Sequence, residues 1–112
     1  MKFWCFHFEG WFSSESVDNS GKGVYSSCLV QSDEYIDAEF AFMQALLDQE
    51  INLIEIEESF LVDTDPEEMD ATNEDNRYWF EWCEETIEVG RPTFEVFHMY
   101  PAVEVSIPKK GN

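Results

Sequence analysis

The chain opens on alternation. In residues 2–12, KFWCFHFEGWF, Trp4, Phe6 and Phe8 fall on one side of an extended backbone, and Phe3, Cys5, His7 and Glu9 on the other. Apolar side chains on both sides mark a central strand rather than an edge. Residues 13–23, SSESVDNSGKG, have the polar, Gly-containing composition of a loop. Residues 24–31 alternate again, Val24, Ser26, Cys28 and Val30 against Tyr25, Ser27 and Leu29. The two runs read as a hairpin with a long connection.

The period then changes. Ile36, Phe40, Met43 and Leu47 recur at spacings of four, three and four, which predicts a helix between residues 33 and 50 with that stripe as its buried face. Ser32-Asp33 supplies its cap, and Asp37, Ala41, Gln44 and Asp48 fall outside the stripe. Residues 52–63 return to alternation, Leu53, Glu55 and Glu57 against Ile54 and Ile56, as a third strand with an acidic outer face. Asp65-Pro66-Glu67-Glu68 has the grammar of a helix start, opening a turn that stops near Ala71. Thr72-Asn73-Glu74-Asp75 offers a second start, for a helix over 74–89 that ends before Gly90 and Pro92. Residues 93–99 alternate as a fourth strand, Phe94, Val96 and His98 against Glu95, Phe97 and Met99. Pro101 breaks it, residues 103–107 suit a short edge strand, and 108–112 read as a flexible tail.

The order β-β-α-β-α-β predicts an α+β fold: one domain over residues 1–112, a mainly antiparallel sheet of four or five strands, and two helices packed on one face. The length suits a single core. Composition agrees that the chain folds, since 44% of residues are hydrophobic and 16% aromatic, too many for a disordered acidic segment.

Charge changes the picture of what such a domain could bind. The formal net charge is -19, and 20 of the 25 acids lie within residues 33–88 beside a single base, Arg77. That field favours cationic partners and repels nucleic acid and anionic membrane. The six scattered bases form no patch on which a nucleic acid could lie. No run of about 18 apolar residues exists to span a membrane, and no signal peptide opens the chain. Three cysteines, Cys5, Cys28 and Cys83, stand at no metal-ligand spacing. They predict free thiols in a cytoplasmic protein, with a Cys5–Cys28 bridge as the alternative if the first two strands pair.

Candidate chemistry is sparse. Asp63, Asp65, Glu67 and Glu74 have the oxygen-ligand spacing of a calcium loop, but Glu68 stands where the sharp turn requires Gly and Pro66 stiffens the segment. No metal or cofactor is expected. His7 and His98 lie in strands near Cys5 and Cys28, yet satisfied sheet histidines and buried thiols account for them. Gly21-Lys22-Gly23 is too short for a phosphate loop. No catalytic signature appears, and a non-enzyme is expected.

The sharpest local signal is the second helix. At 100° per residue Trp79, Trp82, Cys83, Thr86 and Ile87 share one side, with Phe80 at its margin, and Glu81, Glu84, Glu85 and Glu88 line the other. Glu81–Glu85 and Glu84–Glu88 are like-charge pairs, each costing a few tenths of a kcal/mol, and acids late in a helix oppose its dipole. A face serving solubility alone would interleave lysine. The candidate partner-binding residues are therefore Asp63, Asp65, Glu67, Glu68, Asp70, Tyr78, Glu81, Glu84, Glu85 and Glu88, with Tyr78 or Trp79 as an aromatic anchor. The expected function is neutralisation of a basic protein, as by a bacterial immunity or antitoxin-like inhibitor of a nuclease toxin. A phage-type nucleic-acid mimic acting on a host defence protein and an acidic regulatory protein without inhibitory role are the alternatives.

Overall fold

A computed structural model describes residues 2–13, 22–62 and 74–101. It is α+β, with five strands and two helices in the order β1 (Phe3–Phe12), β2 (Gly23–Gln31), α1 (Tyr35–Asp48), β3 (Ile51–Val62), α2 (Glu74–Val89), β4 (Thr93–Phe94) and β5 (His98–Tyr100). The sheet order is β3-β1-β2-β4, with β5 also on the outer edge of β2, and every pairing is antiparallel. The long hairpin β1–β2 forms the centre, running from Phe3 opposite Gln31 to Trp11 opposite Gly23. Because β1 is antiparallel to both neighbours, β2 and β3 are parallel to one another, and α1 carries the chain across β1 between them.

The two helices cover opposite faces of the sheet, not one. Successive residues of a strand point to opposite sides. Phe6, Phe8, Cys28 and Val30 pack with Ala38, Phe42 and Leu46 of α1. The residues between them, Phe3, Cys5 and Leu29, pack with Trp82 and Cys83 of α2. The physical reason is written in β1 and β2 themselves: strands apolar on both sides need cover on both. On the α1 side Phe6 and Phe42 stack with centroids 4.6 Å apart and planes 1° from parallel.

The face that α1 buries also differs from expectation. Ala38, Phe42, Ala45 and Leu46 meet the sheet. The stripe Ile36, Phe40, Met43 and Leu47 faces outward, at 77, 68, 40 and 66% exposure. This helix has two apolar stripes, and the one with small residues, Ala38 and Ala45, lets the helix approach the aromatic layer of β1. Its start differs as well. Glu34, extended at φ -120° and ψ 139°, is the first capping position and receives no side-chain cap. The Ser32 hydroxyl instead donates to the Glu34 carbonyl at 3.0 Å, closing a turn ahead of the helix.

Irregular pairing displaces the outer strands from strict alternation. Along β1 and β3 the register shifts between His7 and Phe8 and again between Glu9 and Gly10, so β3 holds extra residues. Leu53 and Ile56, expected on opposite faces, consequently both pack on the α1-side core. The fourth strand is broken in the same way. Cys28 pairs with Phe94 but Tyr25 with His98, one residue more on the outer strand than on β2. Phe94 and Phe97 therefore share the α1-side core with centroids 5.6 Å apart, while Val96, expected beside Phe94, is 75% exposed. At the far end Gly23 lies under the Tyr100 ring, which would occupy the position of any Cβ there. The expected turn at 65–71 and the edge strand at 103–107 lie outside the described residues.

Candidate protein-binding face

Helix α2 is held to the sheet by its aromatic and small residues. Trp82, Cys83 and Thr86 are buried. The Trp82 indole N–H donates to the Thr93 hydroxyl at 2.8 Å, and the Thr86 hydroxyl donates to the Trp82 carbonyl at 2.9 Å. Thr86 and Thr93 hydroxyls meet at 2.8 Å, so the network joins α2 to β4 through groups that leave no polar atom stranded. Trp79 is half-buried, edge-on to Phe60 at 5.8 Å and stacked on Trp82 at 5.5 Å. Ile87, expected in the core, is exposed, at the margin of the sector that Cys83 and Thr86 bury.

With that face fixed, Glu81, Glu84, Glu85 and Glu88 all point to solvent, as their spacing requires. Glu81 and Glu85 stand on the rim of an open groove of about 560 Å³ between α2 and the outer edge of the sheet, lined also by Tyr78, Trp82, Glu95 and His98. The Tyr78 hydroxyl donates to a Glu95 carboxylate oxygen across the groove. Its ring remains 48% exposed, packed against Trp79 and Trp82. The groove thus presents three carboxylates around an aromatic wall, a setting for a lysine or arginine side chain lying on a ring with its charge toward the acids. Of the sequence-derived candidates, the structure unites Tyr78, Glu81 and Glu85 here and places Glu84 and Glu88 on the neighbouring surface of the helix. Asp63, Asp65, Glu67, Glu68 and Asp70 lie outside the described residues. Glu95 and His98 were not among those candidates. The bulge that brings the outer strand to this groove has no signature in the sequence.

Acids are not confined to this face. On β3 Glu58 pairs with His7 and Glu55 with Glu9, on the same side of the sheet as α2. Glu9 accepts hydrogen bonds from Tyr100 and Tyr25. That bond to the carboxylate raises the Tyr25 phenol above its usual pKa, helped by desolvation and by Glu9, Glu57 and Glu55. Asp37, Glu39 and Asp48 ring α1 on the other side. The field surrounds the described sheet rather than marking one surface.

The three thiols and two imidazoles are spread over both faces of the sheet. All three thiols are free and buried. Cys5 lies opposite Leu29 and Cys28 opposite Phe6, so the two side chains point to opposite faces and the alternative bridge between them is ruled out. Burial, with Glu95 and Glu58 adding to it, pushes the Cys5 thiol up to about 12, and burial pushes Cys83 to about 12 and Cys28 higher. Thiols held protonated are poor nucleophiles. The His7 Nδ1 and Ser27 hydroxyl are hydrogen-bonded across β1 and β2, with Ser27 buried and His7 half-buried. His98 sits one strand further out, opposite Tyr25, and does not meet His7.

Among the described residues no group of three or more His, Cys, Asp or Glu has metal-ligand geometry, and no helix is long and apolar enough to cross a membrane. The calcium-like spacing of Asp63, Asp65 and Glu67 lies outside those residues. Comparison of the chain with protein-family models, with curated proteins and with solved structures gives no match.

Proposed function

We propose that this chain is a non-enzymatic acidic protein that binds and neutralises a basic protein partner in the bacterial cytoplasm, as an immunity or antitoxin-like inhibitor of a nuclease toxin. The observation that supports this reading most is the groove beside α2. Glu81, Glu85 and Glu95 surround exposed Tyr78 there, so charge for capture and an aromatic surface for affinity occur together. A nuclease binds its phosphate substrate through lysine and arginine, and carboxylates held on rigid elements substitute for those phosphates. The net charge of -19 supplies long-range attraction, giving the fast encounter that a neutraliser needs.

The alternative, a nucleic-acid mimic acting on a host defence protein, would use the same carboxylates in place of phosphates. The experiment is capture of basic proteins at low salt on the chain and on its Glu81→Lys/Glu85→Lys variant, followed by assay of the captured protein. A nuclease that the chain inhibits and the variant does not supports the immunity reading. A nucleic-acid-binding protein without nuclease activity supports mimicry, and equal capture by both chains removes the α2 groove from either.

A further inference from the structure

The outward stripe of α1 has no role in the fold and none in the groove beside α2. Ile36, Phe40, Met43 and Leu47 are 77, 68, 40 and 66% exposed. At 3.6 residues per turn they occupy a sector of about 60°, on the side away from the sheet. Their 4-3-4 spacing is that of alternating a and d positions in a two-helix seam, over about 16 Å of helix axis. The seam is continuous with a depression of about 570 Å³ where Phe40 and Ala41 face Val89 and Phe94 around the edge of the sheet. Such a depression would accept a side chain from a helix lying along the stripe.

Charge selects what that helix is. Exposed Asp37 and Glu39 flank the seam on its two sides, and Asp48 and Glu85 line the depression together with Arg91. A second copy of this chain would bring two bodies of charge -19 together and set acids against acids along the seam. A membrane surface is disfavoured for the same reason, since interfacial helices carry lysine and arginine beside their apolar face.

We propose that the outer face of α1 is a docking site for an amphipathic helix of a partner protein, apolar at its own seam and lysine- or arginine-bearing on the flanks. The inference rests on the reading of the chain as a binder of basic proteins, but its seam lies on the α1 side of the sheet and meets the glutamates of α2 only at Glu85, in the depression at its edge.

The test uses the full chain and a designed peptide of about 20 residues, with leucine at the seam positions and lysine on the flanks. A scrambled peptide of the same composition is the control. The intact chain should bind the ordered peptide at least about tenfold more tightly than the scrambled one, with a gain of helical circular dichroism. Phe40→Ser/Leu47→Ser should erase that difference, as should Ile36→Ser/Met43→Ser, and Glu81→Lys, outside the seam and its depression, should leave it intact. Equal binding of the two peptides, or an unchanged preference in both seam variants, would overturn the proposal. So would a dimer of the intact chain that Phe40→Ser/Leu47→Ser dissociates, or equal seam-dependent adsorption to phosphatidylcholine vesicles. If the peptide preference is absent while Glu81→Lys still loses a captured partner, this proposal fails and the reading of α2 stands. The reverse pattern sinks the α2 reading alone.

Discussion

Trp82 concentrates the packing and the polar accounting of α2 in a single side chain. It is 6% exposed, stacks on Trp79 and hydrogen-bonds Thr93. Trp82→Ala should cost about 3–5 kcal/mol in urea unfolding, from the lost ring and the cavity it leaves. Trp82→Phe should cost less, because Thr93 keeps Thr86 as a partner. The thiols give a pH dependence of definite sign. The Cys5 and Cys83 thiols, ordinarily near 9.0, are pushed to about 12 in the folded chain. The folded state therefore holds protons that the unfolded chain releases above about pH 9, and stability falls as pH rises from there toward 12. Urea midpoints should drop between about pH 8.5 and 10.5, and drop less in Cys83→Ala than in the intact chain. Equal drops would mean that other groups carry the effect. At this scale the sequence named Trp82, Cys83 and Thr86 as inward and four glutamates as outward. It placed Ile87 inward because helix periodicity cannot tell how far a buried sector extends.

Helix α1 shows where periodicity alone runs out. It bears two apolar stripes, Ala38, Phe42, Ala45, Leu46 and Ile36, Phe40, Met43, Leu47, and the second has the larger side chains. Hydrophobicity favours the second; packing against a sheet already filled with Phe6 and Phe8 favours the first, whose alanines leave room for those rings. The assignment is testable by stability. Phe42→Ala should cost about 3–5 kcal/mol, whereas Phe40→Ser and Leu47→Ser should each stay within about 0.5 kcal/mol, as exposed positions do. A costly Leu47→Ser would put the other stripe against the sheet. The strands divide in the same way. β1 and β2 alternate cleanly and were legible; β3 and the β4–β5 edge carry register shifts, and a shift moves every later residue to the other face without any change in composition. For α2, Glu85→Lys should leave stability unchanged or raise it by a few tenths of a kcal/mol, because it relieves a like-charge pair with Glu81.

For the molecule as a whole, apolar side chains on both sides of β1 were legible, yet the helices cover opposite faces where one face was expected. The sandwich of one sheet between two helices distributes acids over both outer layers, so self-repulsion is a property of the entire body. The melting temperature should accordingly rise with added salt at low ionic strength, as screening shortens from about 30 Å at 0.01 M to about 10 Å at 0.1 M. A fall over that range would mean that attractive ion pairs dominate. The same field governs encounter with a basic partner. Rim glutamates steer it from a distance, so reversing them should slow association more than it speeds dissociation. The central claim is that the α2 groove is where that partner binds. Its most direct measurement is the association rate of the captured partner with the chain and with Glu81→Lys/Glu85→Lys, at two salt concentrations. The account predicts slower association of the variant and a weaker dependence on salt; an unchanged rate with an unchanged salt dependence would contradict it.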